Sequence, residues 1–144
     1  MSEGWRVKRD IKGTEDKTYH GACHCGAVCF SAQGPLRAAV ACHCEDCLRL
    51  AGYSWAATQV AEAGFTLTSG EESIDWYQSS DIAKRGFCKK CHAHMFYVLL
   101  NSGRVSIAVG MIDARDELSL AGQIYRASLT DDLHLTADTP ELDR

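Results

Sequence analysis

The sequence predicts an all-β (mainly β) domain of short antiparallel strands laced together by cysteine knuckles, and three observations carry that prediction. Brief β-rich segments recur between glycines, a spacing typical of all-β folds. Helical periodicity never extends beyond about one turn. Seven of the eight cysteines fall in close clips, namely Cys23/Cys25, Cys42/Cys44/Cys47 and Cys88/Cys91. Reduced cysteines at Cys-x-Cys-x-x-Cys and Cys-x-x-Cys spacing are better explained by a soft metal than by disulfides.

The chain is read in order from these anchors. Residues 1–17 are charged and broken by Gly4 and Gly13, with no apolar core or cleavage site of an export signal. They are expected to form a flexible arm, leaving residues 18–144 as the zinc-binding domain. Without export the thiols should stay reduced, so a cytoplasmic location is expected.

From Thr18 the pattern changes: Tyr19-His20-Gly21-Ala22 leads into Cys23-His24-Cys25-Gly26. Residues 27–32 then predict a strand closed by Gly34-Pro35, with Cys29 on it as a buried small hydrophobe. The apolar run 36–41 delivers the chain to Cys42, and Leu48-Arg49-Leu50-Ala51 predicts a helical turn ended by Gly52. The three-cysteine cluster thus sits at a strand-to-helix corner.

Residues 53–60, 65–68 and 74–78 predict strands separated by Gly64 and Gly70, with Trp55 and Trp76 in the β core. Ala83-Lys84-Arg85-Gly86-Phe87 enters the Cys88-Lys89-Lys90-Cys91 knuckle, and residues 95–100 and 105–111 predict a hairpin around Asn101-Ser102-Gly103. A last strand is expected over 123–129, followed by a polar tail over 131–144.

Bulk properties bound the function. At 144 residues the chain suits one domain, and a net charge of -4 removes the basic footprint of a nucleic-acid binder. No apolar run reaches the length of a bilayer span, so membranes are also poor partners.

The ligand arithmetic is four plus three. Structural zinc takes four protein ligands, whereas catalytic zinc keeps three and leaves one position open. Cys23, Cys25, Cys88 and Cys91 would make a closed site tying the first strand to the later hairpin, and its binding free energy would be folding free energy. Cys42, Cys44 and Cys47 would then make a three-thiolate site with a vacancy. Spacing alone leaves other partitions open: Cys42 or Cys44 could join Cys88/Cys91, or His43 could complete a closed set.

Four motifs taken together, Gly21-Ala22-Cys23-His24-Cys25-Gly26-Ala27-Val28, Cys42-His43-Cys44-Glu45-Asp46-Cys47, Arg85-Gly86-Phe87-Cys88-Lys89-Lys90-Cys91 and Val109-Gly110-Met111-Ile112-Asp113, resemble the glutathione-dependent formaldehyde-activating enzyme family, which includes centromere protein V. The resemblance implies an Mss4-like β-sandwich with two zinc ions. It assigns Cys23, Cys25, Cys88 and Cys91 to a structural ion and Cys42, Cys44 and Cys47 to a catalytic one. It also implies a carbon–sulfur lyase that reversibly joins glutathione and formaldehyde to give S-(hydroxymethyl)glutathione.

Two departures from the family pattern stand out: His92 replaces the usual glycine of the later knuckle, and residues 129–133 lack an expected tryptophan. His92 and His94 are expected to be exposed, solvated side chains.

Three thiolates leave a bound zinc formally negative, which makes the site a poor water activator but still able to hold a visiting thiol as thiolate. Addition of that sulfur to a carbonyl needs a proton carrier, for which His43, Glu45 and Asp46 are candidates by position. Arg85, Arg49 and Lys84 are candidates to receive the carboxylates of glutathione or a related small thiol. The alternative is a non-catalytic two-zinc module that holds glutathione or a protein partner.

Overall fold

A computed structural model describes residues 13–143. Among them the chain forms strands β1 (Thr18–Ala22), β2 (Cys29–Gln33), β3 (Ala39–Cys42), β4 (Trp55–Ala61), β5 (Phe65–Ser69), β6 (Ile74–Tyr77), β7 (Ala83–Cys88), β8 (His94–Leu99), β9 (Arg104–Ala108) and β10 (Leu120–Ile124). One α-helix, α1 (Glu45–Ala51), interrupts them. Gly52, at φ 85°, closes that helix in the left-handed conformation and returns its N–H to the Leu48 carbonyl, as the sequence pattern implied.

The strands make a three-stranded sheet, β1-β2-β5, and a seven-stranded sheet, β10-β3-β4-β9-β8-β7-β6. All neighbours run antiparallel except β10, which lies parallel to β3. The sheets meet through an aromatic cluster: Phe30 of β2, Phe65 of β5 and Phe96 of β8 hold ring centroids 5.2–5.7 Å apart. Around it Tyr19, Val28, Leu36, Met95, Val105, Ile107 and Ile112 are buried. Each such side chain contributes roughly 1.5–3 kcal/mol by leaving water, so this layer is the main apolar support of the fold.

Alternation positions the layer. In β1 Tyr19 and Gly21 face inward, and in β2 Phe30 and Ala32 do. Gly21 is held to glycine by close approach, since a Cβ there would lie 2.3 Å from both the Phe30 ring and the Met111 carbonyl oxygen. That contact lets the 109–112 segment bridge to β1 through Ile112.

Several expectations are corrected. Residues 83–87 are a full strand and not merely an approach to the knuckle. The last strand is shifted to 120–124, because Tyr125 takes a left-handed conformation (φ 55°) and residues 126–128 turn as a 3-10 helix. Trp76 is exposed, since β6 is an edge strand with no neighbour beyond it among the described residues, whereas Trp55 is buried as expected. Cys29 is half-buried, its thiol donating to the Gly26 carbonyl at 3.3 Å.

Residues 1–12 of the expected arm lie outside the described residues. Residues 13–17, by contrast, are tied to the domain. Thr14 N–H donates to Leu36 O, Leu36 N–H donates back to Thr14 Oγ1, and Lys17 pairs with Glu117 at 2.9 Å. Among the described residues no helix is long and apolar enough to cross a membrane.

Two cysteine clusters as candidate metal centres

The first cluster is built from two turns. Cys23 and Cys25 lie in the turn after β1, folded back by the Gly26 N–H donating to Cys23 O. Cys88 ends β7 and Cys91 sits in the next turn, closed by the His92 N–H donating to Cys88 O at 2.8 Å. All four sulfurs fall within 4.8 Å of one another, with Cys23–Cys25 at 3.6 Å and Cys25–Cys88 at 3.7 Å. Sulfurs around tetrahedral zinc, each about 2.3 Å from the ion, stand about 3.8 Å apart, so these residues fit such an ion.

Backbone donors also point at the sulfurs: Val28 N–H at Cys23, and Lys90 and Cys91 N–H at Cys88, all at 3.4–3.5 Å. Such donors favour thiolate over thiol. None of the eight cysteines is in a disulfide.

The second cluster sits at the strand-to-helix corner. Cys42 ends β3, Cys44 caps α1 by accepting the Cys47 N–H at 3.4 Å, and Cys47 lies in the first helical turn. Their three sulfurs also lie within 4.8 Å of one another, and among the described residues no fourth Cys, His, Asp or Glu donor joins them. Cys47 is 2 % exposed, while Cys42 and Cys44 are half-buried, so access is from their side. Neither alternative partition forms: Cys42 and Cys44 stay apart from Cys88/Cys91, and His43 is not among the donors.

Cys42 and Cys47 cannot both ionise alone. The hydrogen bond from Cys42, and then the Arg85 charge, pull the Cys47 thiol down to about 5, while that same bond to Cys47 pushes Cys42 up. Only a cation between them would let all three be thiolates, which is the chemistry of a soft-metal site.

The remaining predicted residues divide. His43 is buried, its Nε2 bonded to Gln123 Oε1 at 2.8 Å and its Nδ1 to the Ser54 hydroxyl. With Gln123 accepting, the proton sits on Nε2 and Nδ1 accepts from Ser54, leaving no free ring nitrogen. The ring also stands edge-on to His134 at 4.8 Å, and His134 Nε2 reaches the Arg126 and Leu129 carbonyls. The segment after β10 is thereby fastened over the corner, where a tryptophan was expected.

Glu45 and Asp46 are exposed on the first turn of α1. Arg49 pairs with Glu45 at 3.4 Å on the solvent side of the helix, and Lys84 lies over the exposed Trp76 ring at 4.4 Å. Arg85, a candidate to receive a ligand's carboxylate, is 3 % exposed and donates from Nη1 to Cys47 Sγ at 3.4 Å.

His92 is exposed and takes the left-handed conformation (φ 64°) that glycine would adopt more easily. His94 was expected to be solvated. It is 8 % exposed and stacked between Trp55 (4.4 Å) and Phe87 (4.6 Å), because it begins β8 on the inward face. Sequence reasoning also passed over Tyr97 and Met111, which pack against the three-cysteine corner, and Ser54, Gln123 and His134, which brace it.

A cavity of about 490 Å³, lined among others by Leu50, Ser54, Trp55, His94, Val109 and Met111, borders that corner through Trp55 and Met111.

Two comparisons bear on this arrangement. A solved structure of a Rhodobacter sphaeroides protein superposes with a TM-score of 0.56 at 24% identity, covering 70% of this chain and 98% of that one, which is a likeness of fold. The sequence profile of the glutathione-dependent formaldehyde-activating enzyme family matches residues 18–128.

Proposed function

This chain belongs to the glutathione-dependent formaldehyde-activating enzyme family, and from that premise we propose that it is a zinc-dependent carbon–sulfur lyase. It reversibly joins glutathione, or a related small thiol, to formaldehyde or another small aldehyde, giving the S-hydroxymethyl type of adduct. The observation that carries this reading is the three-sulfur corner, which has no fourth side-chain donor among the described residues and is reached from the Cys42 and Cys44 side.

In this reading Cys23, Cys25, Cys88 and Cys91 hold a structural zinc, and Cys42, Cys44 and Cys47 hold the zinc that matters for chemistry. A zinc ion at the second position supplies a means of keeping a thiol ionised and oriented at neutral pH. The chain's own residues do the rest. His43, Ser54 and Gln123 fix the corner, and the Trp55 and Met111 side chains shape the adjoining cavity.

In the forward reaction the thiol gives up its S–H proton and its sulfur bonds to the carbonyl carbon, while the carbonyl π pair moves to oxygen, which takes up a proton. The reverse removes the hydroxyl proton, expels the aldehyde and returns a proton to the sulfur. With both His43 nitrogens engaged, proton exchange falls to Glu45 and Asp46 on the exposed first turn of α1. Thiols that must stay reduced fit a cytoplasmic setting.

The second reading is a two-zinc module that holds a protein partner without turnover, and one observation favours it. Arg49, Lys84 and Arg85 are each engaged elsewhere, so none of the cations expected to clamp glutathione is poised to do so. Exchange spectroscopy on a mixture of glutathione and formaldehyde separates the two. The lyase speeds interconversion with the adduct in proportion to protein, and Cys44→Ser abolishes that acceleration while one zinc per chain and the fold remain. An interconversion rate unchanged by wild-type protein at every pH leaves only the binding module.

A further inference from the structure

Arg85 is a fully buried cation with no acidic partner: among the described residues the salt bridges are Lys17–Glu117, Arg49–Glu45 and Arg126–Asp131. Its guanidinium is spent on the corner instead. Nη1 donates to Cys47 Sγ at 3.4 Å, and the plane lies over the Tyr97 ring with Cζ 5.0 Å from the centroid. Tyr97 is the cross-strand partner of Arg85 between β7 and β8, and it packs against the same cysteine cluster. The Nε–H is also buried and makes no hydrogen bond among the described residues.

Burying an unpaired arginine is costly, so the site must return something. The charge count identifies what. Three thiolates around one divalent cation leave a formal charge of -1, and the guanidinium brings the assembly to zero. A visiting thiolate then leaves -1, where without Arg85 it would leave -2 in a half-buried corner.

We infer that Arg85 is the built-in counter-charge of the three-cysteine centre, a positioning residue that holds the Cys47 sulfur and sets how readily the corner accepts a metal and a further thiolate. This rests on the reading of that corner as a metal centre and not on turnover. It differs from the sequence expectation, in which Arg85 would receive a substrate carboxylate.

The test uses the full-length protein and its Arg85→Met and Arg85→Lys variants, read by zinc content, competition against a chromophoric chelator, and the absorption of cobalt-loaded protein titrated with thiols. Two thiols are used: glutathione, and 2-mercaptoethanol, which has no carboxylate. In Arg85→Met one zinc per chain stays as tight as in wild type, the second loosens roughly 10–100-fold, and both thiols bind more weakly by similar factors. Arg85→Lys, which keeps the charge but not the planar fork, recovers part of both losses.

Weakening confined to glutathione would assign Arg85 to a carboxylate and overturn the inference, as would a second ion held unchanged in Arg85→Met. Should Arg85→Met not fold, Arg85→Lys decides alone: an equal, smaller loss for both thiols supports the counter-charge role, and a glutathione-only loss refutes it. None of these readouts needs catalysis, so an inactive wild-type protein would sink the lyase reading and leave this one standing.

Discussion

Replacing His94 by phenylalanine should flatten the acid side of the protein's stability profile. The imidazole lies nearly parallel to Trp55 (12°) and Phe87 (18°), and both its nitrogens are buried without hydrogen-bond partners among the described residues. Burial first, and the nearby Arg85 charge second, hold its pKa down to about 4 against an ordinary 6.5. The unfolded chain therefore takes up a proton on this histidine as pH falls through 6.5, while the native state refuses it until about 4. Stability contributed by the neutral ring is complete above 6.5 and is lost across the window from 6.5 down to 4.

The size of the effect follows from that depression. Linkage over the whole window gives about 3 kcal/mol, of which about 1 kcal/mol is lost between roughly pH 7.5 and pH 5.5. Phenylalanine keeps the three-ring stack and cannot titrate. Urea unfolding of wild type and His94→Phe at those two pH values, analysed by linear extrapolation, should show the wild type losing about 1 kcal/mol more than the variant. Acid release of metal is common to both proteins and cancels in the difference. Equal losses would refute the account of His94 as a buried, neutral, unpartnered ring.

Two further outcomes test the fold around the site. His92→Gly relieves a left-handed φ of 64° in the knuckle turn and should raise stability by about 0.5–1 kcal/mol, after allowing for glycine's freer unfolded state, as seen in the urea midpoint. Gly21→Ala places a Cβ 2.3 Å from the Phe30 ring and the Met111 carbonyl, and should cost roughly 1–3 kcal/mol or more while pushing the 109–112 segment off β1, detectable as faster amide exchange at Ile112.

What the sequence made legible was local. Ligand spacing needs only a few bonds of chain to bring Cys88 to Cys91 or Cys44 to Cys47, and a glycine at position 52 announces a helix end without reference to the rest of the fold. Residues whose surroundings come from far along the chain were misjudged. His94 looked solvated because polar side chains usually are, and Arg85 offered no local sign that it would be buried against Cys47. Their burial comes from groups far along the chain: Cys47 of the helix corner meets Arg85, and Trp55 of β4 stacks on His94.

The same holds for His43, whose partner Gln123 is 80 residues away on a strand that pairs parallel with β3, a pairing no local pattern reveals. Trp76 was assigned to the core because aromatic residues in strands mostly lie there, yet only the sheet order shows that β6 has one neighbour.

Strand β7 is where the two clusters meet in the chain. It ends in Cys88, the most buried sulfur of the four-cysteine set, and three residues earlier it presents Arg85 to Cys47 of the other set. The two centres therefore differ in design for a reason the backbone supplies. The four-cysteine cluster gathers its sulfurs from turns on both sides of the sandwich, so its closure locks β1 to the β7–β8 hairpin and any ion there acts on folding. The three-cysteine corner draws its sulfurs from one contiguous stretch that needs no metal to stay together, since α1, the Cys44 cap and the His43 bonds already hold it. On the proposed reading, a corner braced without its ion could let that ion exchange partners, and the positive charge of Arg85 would lower the cost of admitting another anion. Structural closure and chemical openness would then be divided between the two clusters, with one strand, β7, contributing to both.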